Sequence, residues 1–158
     1  MNDYTVSLFG HRNVDDLRLL DTLLMPLITE LIKTKSYVTF LIGRNGEFDE
    51  YAASLIKRVQ KTVGKENNEL NLVLPYSVAK IAYYEGYYDN IIIPQTLHKA
   101  HPKAAIKLKN HWMVEQSDLV IVYVERDNGG AYDAMKYAEK NNIPIVNLHN
   151  TITDKADD

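Results

Sequence analysis

Short apolar runs alternate with amphipathic stretches along the whole chain, and that alternation predicts the fold. Tyr4–Phe9 is rich in β-branched and aromatic residues and stops at Gly10, so it reads as a buried strand. Leu17, Leu20, Leu24, Leu27, Ile28 and Leu31 then recur at helical spacing, with Asp15 or Asp16 placed to cap the segment. Pro26 inside that helix predicts a kink or a split. Tyr37–Ile42 is a second strand ended by Gly43, and a helix is predicted from Glu47 to about Val63 with Phe48, Ala52, Leu55, Ile56 and Val59 on one face. Leu70–Leu74 is a third strand, Ser77–Tyr84 a short helix and Asn90–Ile93 a short strand before Pro94. His98 to Glu115 reads as mostly helical despite Pro102, Leu119–Val124 as the most apolar strand, Gly129–Lys140 as a helix and Ile143–Leu148 as a last strand.

Strands that are apolar throughout and alternate with helices imply an α/β class: a Rossmann-like three-layer sandwich with a mainly parallel central sheet. Ligands of such sheets sit at the carboxyl edge of the strands, near the point where strand order reverses. The chain has 158 residues, 46% of them hydrophobic, enough for one domain over residues 1–150. A polar tail at 151–158 is expected to be flexible. Met1 to Tyr4 carry no basic region leading into an apolar stretch, and no run reaches the roughly 18 residues of a membrane span. The absence of cysteine removes disulfides and thiolate chemistry and agrees with a cytoplasmic location. A formal net charge of −3 does not favour non-specific attraction to nucleic acid.

The glycines carry the chemical signal. Gly10, Gly43, Gly46, Gly129 and Gly130 all follow a predicted strand and precede a helix. Such turns bring backbone close to a ligand and point helix N–H groups at it, which suits phosphate; tight turns also need glycine for steric reasons alone. Gly10-His11-Arg12 adds a guanidinium for phosphate or carboxylate and a histidine that can instead bond a neighbouring loop. Gly43-Arg44-Asn45-Gly46 repeats the theme, and Asp49 is placed to contact a ribose hydroxyl or to cap the helix. Asn128, Gly129 and Gly130 open the helix after the most apolar strand, where Tyr132 is placed to stack on a base or simply to face outward. Lys109 and Asn110 are polar enough to project into a site, whereas Trp112 and Met113 suit core or subunit contacts.

Tyr76, Tyr83, Tyr84, Tyr87 and Tyr88 cluster around the third crossover, as packing, an oligomer contact or a base-stacking wall. Lys99, Lys103 and Lys107 form a basic helix stripe that reads most simply as a solvated face. The histidines have no metal-ligand spacing, so neither metal nor cofactor is expected. No GxGxxG or Walker A loop is present.

Taken in order, Gly10-His11-Arg12, then Gly43 to Asp49 with Ala52-Ala53 behind it, then the block from Lys109 to Leu148 with Met113, Ser117-Asp118, Gly129-Gly130 and Ala138, resemble the SLOG group of Rossmann-like domains. That group includes the Lonely-guy phosphoribohydrolases, the DNA-processing protein of natural transformation and sensors of nucleotide-derived signals. The phosphoribohydrolases carry an Arg-Lys pair where this chain has Lys109-Asn110. Their PGGxGTxxE loop puts its catalytic glutamate at Ala134, with Asp133 one position early. A helix turns about 100° per residue, so Asp133 is no simple substitute. The resemblance therefore implies a domain that binds a small nucleotide-derived phosphate ligand, ADP-ribose-like or cyclic, as a sensor or sequestering protein. It also implies a homo-oligomer, to which Trp112 and the tyrosines would contribute.

Two alternatives stay open. One is an N-glycosidic-bond enzyme, a phosphoribohydrolase or deoxyribosyltransferase with Asp133 or Glu47 as the acid. The other is single-stranded DNA binding through Lys99, Lys103, Lys107 and Lys109, although nucleic acid is not the expected partner.

Overall fold

The structure, a computed structural model, describes residues 3–97 and 101–150, the side chain of Lys103 excepted. Among these residues, β1 (Asp3–Gly10), β2 (Tyr37–Ile42), β3 (Asn68–Val73), β4 (Asn90–Ile92), β5 (Leu119–Tyr123) and β6 (Ile145–Asn147) form one sheet. Its order is β4-β3-β2-β1-β5-β6, and every pairing is parallel. The helices are α1 (Leu17–Thr34), α2 (Glu47–Val63), α3 (Ile81–Glu85), α4 (Pro102–Glu115) and α5 (Gly130–Lys140). The tail expected at 151–158 lies outside the described residues. No described helix is long and apolar enough to cross a membrane.

The sheet is covered on both faces, which is why its strands are apolar at successive positions. Val6 and Leu8 of β1 join Leu20, Leu24 and Ile28 of α1 and Phe48, Leu55 and Ile56 of α2 in one buried layer. Phe9, one residue on, points to the opposite layer with Met113 and Val114 of α4 and Ala131, Ala134 and Ala138 of α5. The three alanines give α5 a small-residue stripe and let it lie close to β5. The same face holds a buried polar knot: Ser117 Oγ donates to Ser7 Oγ at 2.7 Å, and the Met113 carbonyl accepts from these hydroxyls. The three-layer α/β sandwich is thus present, with a sheet that is parallel throughout.

Several boundaries move for identifiable reasons. α1 is not split at Pro26 but runs through it. Proline removes only the bond to the Thr22 carbonyl, and both residues are solvent-exposed, so water can satisfy that oxygen. Of the two candidate caps it is Asp16 whose carboxylate accepts from Arg18 and Leu19 N–H. α3 is five residues long rather than starting at Ser77. β6 begins at Ile145 because Asn142 adopts a left-handed φ of 58° and Ile143 N–H returns to the Ala138 carbonyl, ending α5. Val124, expected to close β5, bonds through both backbone groups to the side-chain amide of Asn147 instead.

Because α1 is continuous, Pro26→Ala restores a helical bond without moving the core. We expect a gain of about 2 kcal/mol, a helix-interior proline costing roughly 3 less its unfolded-state benefit. It would appear as a higher urea midpoint at unchanged slope. An unchanged midpoint would show that the helix loses nothing at this position.

Candidate functional site

β1 is flanked by β2 on one side and β5 on the other, so the connections leaving its neighbours diverge above it. A cleft of about 360 Å³ opens there, at the carboxyl edge of the sheet. The turns after β1, β2 and β5 and one face of α4 line it.

The first two turns are interlocked. A Cβ on Gly10 would lie 2.1 Å from the Phe48 ring, and one on Gly46 would lie 2.4 Å from Arg12 Cα, so both glycines answer to packing. The Arg12 carbonyl accepts the first N–H of α2, from Glu47, at 2.8 Å. Arg12 Nε donates to the Asn45 carbonyl at 3.1 Å, while its terminal nitrogens bond no described residue. His11 is buried, and its Nε2 accepts the Glu125 backbone N–H at 2.9 Å, tying the β1 turn to the β5 turn. This fixes the imidazole as the neutral, Nδ1-protonated tautomer. Burial and the nearby Arg126 charge hold its pKa below the ordinary 6.5, with Glu125 opposing them.

The floor is made by α4 and the start of α2. Lys109 is 2% exposed, and its Nζ lies 2.7 Å from the point where Gly43 would carry a Cβ. Asp49 Oδ2 is 3.2 Å from the same point and accepts the Asn45 N–H at 2.9 Å. Asp49 therefore ties down the turn that leads into α2. The ammonium and the carboxylate form no direct ion pair or hydrogen bond with each other, and Lys109 Nζ bonds no described residue. Burial pulls the Lys109 pKa down, Asp49 partly restores it, and Arg44 adds to the depression. Burial raises the Asp49 pKa against the Asn45 bond and the Lys109 charge. Asn110, also buried, leaves its Oδ1 without a partner.

The third wall is the start of α5. Gly129 has a φ of 94°, a conformation that suits glycine, and no side chain caps the helix. The N–H groups of the first turn are therefore available to the cleft that Asn128, Gly129, Gly130 and Ala131 line.

Of the residues expected at a ligand site, Gly10, His11, Arg12, Gly43, Asn45, Asp49, Lys109, Asn110, Asn128, Gly129 and Gly130 are brought together here. Gly46 lies beneath Arg12, Arg44 turns away to the Tyr84 ring, and Tyr132 packs on the apolar layer. Glu47 does not line the cleft, and Asp133 is held by His111 Nε2 at 3.0 Å and Lys107 at 3.7 Å. Ala134 is fully buried. In the basic stripe, Lys99 and the Lys103 side chain lie outside the described residues, Lys107 faces Asp133, and Lys109 is under the cleft. Sequence reasoning missed Arg126 and Ile106, both in the lining. Arg126 follows the most apolar strand, and Ile106 stands three residues before Lys109 on one helix face; those positions were the available signals.

No protein-family model matches the chain, and no curated protein does. Solved structures do. DNA processing protein A of Streptococcus pneumoniae superposes with a TM-score of 0.64 at 13% identity over 90% of this chain and 49% of that one. DNA processing protein A of Helicobacter pylori, described for its single-stranded DNA binding mode, gives 0.57 at 16% identity over 97% and 73%. The structural-genomics protein TM1055 gives 0.58 at 11% identity over 90% and 72%. The chain thus spans about half the length of the streptococcal protein. At these identities the likeness is one of fold, and the fold implied by the SLOG resemblance is present.

The His11–Glu125 bond requires a neutral imidazole. A histidine whose folded pKa is depressed binds its proton preferentially in the unfolded chain, so stability is full above the ordinary value and falls as pH drops through it. Urea unfolding from about pH 7.5 to about pH 5.5 should show a loss in the wild type that is smaller in His11→Gln. Equal slopes in both proteins would remove His11 from that role.

Proposed function

We propose that the cleft binds the phosphate of a small nucleotide-derived ligand, and that the chain acts as a sensing or sequestering protein. The supporting observation is Lys109, a lysine almost wholly buried beneath the cleft whose ammonium contacts no anion among the described residues. Holding a charge there is costly unless something compensates it, and Asp49 nearby does so only in part. A phosphate over Gly43 would meet Lys109 from below and the uncapped α5 N-terminus from the side. Arg12 and Arg126 stand at the rim, so the lining carries three cationic side chains against the single carboxylate of Asp49. ADP-ribose-type and cyclic nucleotides remain the candidate ligands.

A glycosidic-bond enzyme would have to use Asp49, since Asp133 and Glu47 stand outside the cleft and the position of the family's glutamate is filled by core alanine. Binding of a DNA strand draws support from the shared fold with the DNA processing proteins and would use the same phosphate contacts. We retain a homo-oligomer in the proposal, with Leu108 of α4 at its contact, because that side chain is 43% exposed and does not line the cleft. Sedimentation of Leu108→Glu beside the wild type should show dissociation; identical profiles would move the contact elsewhere.

In a thermal-shift series with inorganic phosphate, nucleoside mono- and diphosphates, cyclic nucleotides and ADP-ribose, a ligand at 100 times its dissociation constant adds about 2.7 kcal/mol. That is roughly 5–10 °C for a domain of this size. Lys109→Met should abolish the shift while leaving the unliganded protein as stable or more stable. If Lys109 served only to neutralise the buried Asp49, the variant would lose about 3–5 kcal/mol, and the wild type would respond to no phosphate compound. A DNA strand as the true ligand would instead show affinity for an oligodeoxynucleotide that falls steeply with salt.

A further inference from the structure

A second cavity, of about 370 Å³, lies beside the cleft and is lined by Arg44, Glu50, Tyr83, Tyr84, Tyr87 and Tyr88. The two cavities share the turn after β2: Gly43, Asn45 and Asp49 line the first, and Arg44 and Glu50, their chain neighbours, line the second. Its wall is aromatic. Tyr84 meets Tyr83 edge-on with centroids 5.5 Å apart and lies 6.3 Å from Tyr88, which meets Tyr87 at 5.0 Å. The Arg44 guanidinium lies over the Tyr84 ring at 5.7 Å.

Core packing accounts for Tyr84, Tyr87 and Tyr88, which contact or belong to the buried layer under α2. It does not account for Tyr83, 70% exposed, or for the open volume between the rings. Aromatic faces beside a guanidinium are what stacks a nucleobase. Glu50 on the lining disfavours an anion here, so a neutral ring suits this cavity while phosphate suits the cleft.

We propose that the tyrosine cavity takes the nucleobase of the ligand whose phosphate sits over Lys109. This rests on the phosphate reading of the cleft and makes the ligand a nucleotide rather than a sugar phosphate. The base belongs either to a free nucleotide or to a single strand.

Calorimetric titration of the intact chain with AMP, ribose 5-phosphate and a short oligodeoxyadenylate tests it. AMP should bind about tenfold or more tightly than ribose 5-phosphate, the gain that one stacked base supplies. Tyr83→Ala should erase that gain and leave ribose 5-phosphate binding untouched, Tyr83→Phe should keep it, and Lys109→Met should weaken both. Tyr83 is mostly exposed, so its loss does not threaten the fold. The same Tyr83 dependence with AMP or with the oligonucleotide supports the subsite, and the tighter of the two identifies the source of the base. Equal affinities for AMP and ribose 5-phosphate, or a gain that survives Tyr83→Ala, would overturn the subsite with the cleft intact. Failure of every phosphate compound to bind would remove the cleft reading and the subsite together.

Discussion

The position of β1 between β2 and β5 governs everything above the sheet. The chain lays β2, β3 and β4 outward on one side, then crosses back to lay β5 and β6 on the other. Connections that leave in opposite directions cannot cover the strand they part over. The gap is a consequence of topology, and every residue of the cleft is placed by it. His11 through its imidazole and Arg12 through its guanidinium and carbonyl bond the backbone of the neighbouring turns, one at Glu125 and the other at Asn45 and Glu47. The two halves of the sheet's edge are therefore held in fixed relation by bonds that involve no ligand.

Within that frame, the chain tolerates a feature that works against its own stability. Lys109 sits on a helix whose buried residues include apolar Ala105, Met113 and Val114 beside polar Asn110, and an apolar side chain would pack there without desolvating a charge. Gly43 adds to the case. Its missing Cβ is the space into which Lys109 Nζ and Asp49 Oδ2 both reach, so any larger residue would have to displace the ammonium. A glycine that makes room for a buried cation, beside an uncapped helix start, is an arrangement that the proposed anion would complete.

The fold was almost wholly legible because its signal is local and repeated. A parallel sheet covered on both faces demands apolar strands and amphipathic crossovers, and both appear in each unit from Tyr4 to Val146. Boundaries failed where a side chain replaced a backbone partner, as Asn147 does for Val124, or where solvent rescued a break, as at Pro26. Neither event leaves a periodic trace. The site was legible where glycine punctuates a turn and illegible where direction decides. Arg44 and Asn45 are adjacent and both polar, yet one faces the tyrosines and the other the cleft. Asp133 reads as a residue at a helix start, and only the packing of α4 against α5 turns it to His111, which stacks on Tyr137 with parallel rings 3.7 Å apart.

The glycines also show how a motif can contain two kinds of information. Gly10 and Gly46 are explained by Phe48 and Arg12, and a protein with no ligand would need them as much. Gly129 is different: no atom lies within 4 Å of its missing side chain, so crowding does not require it there. What it supplies is a left-handed turn that starts α5 without a side-chain cap. Crowded glycines define the walls, and the uncrowded one defines the opening. For the proposed phosphate ligand, the contacts would come from the last turn and from Lys109, while the first two turns supply a rigid edge beside them.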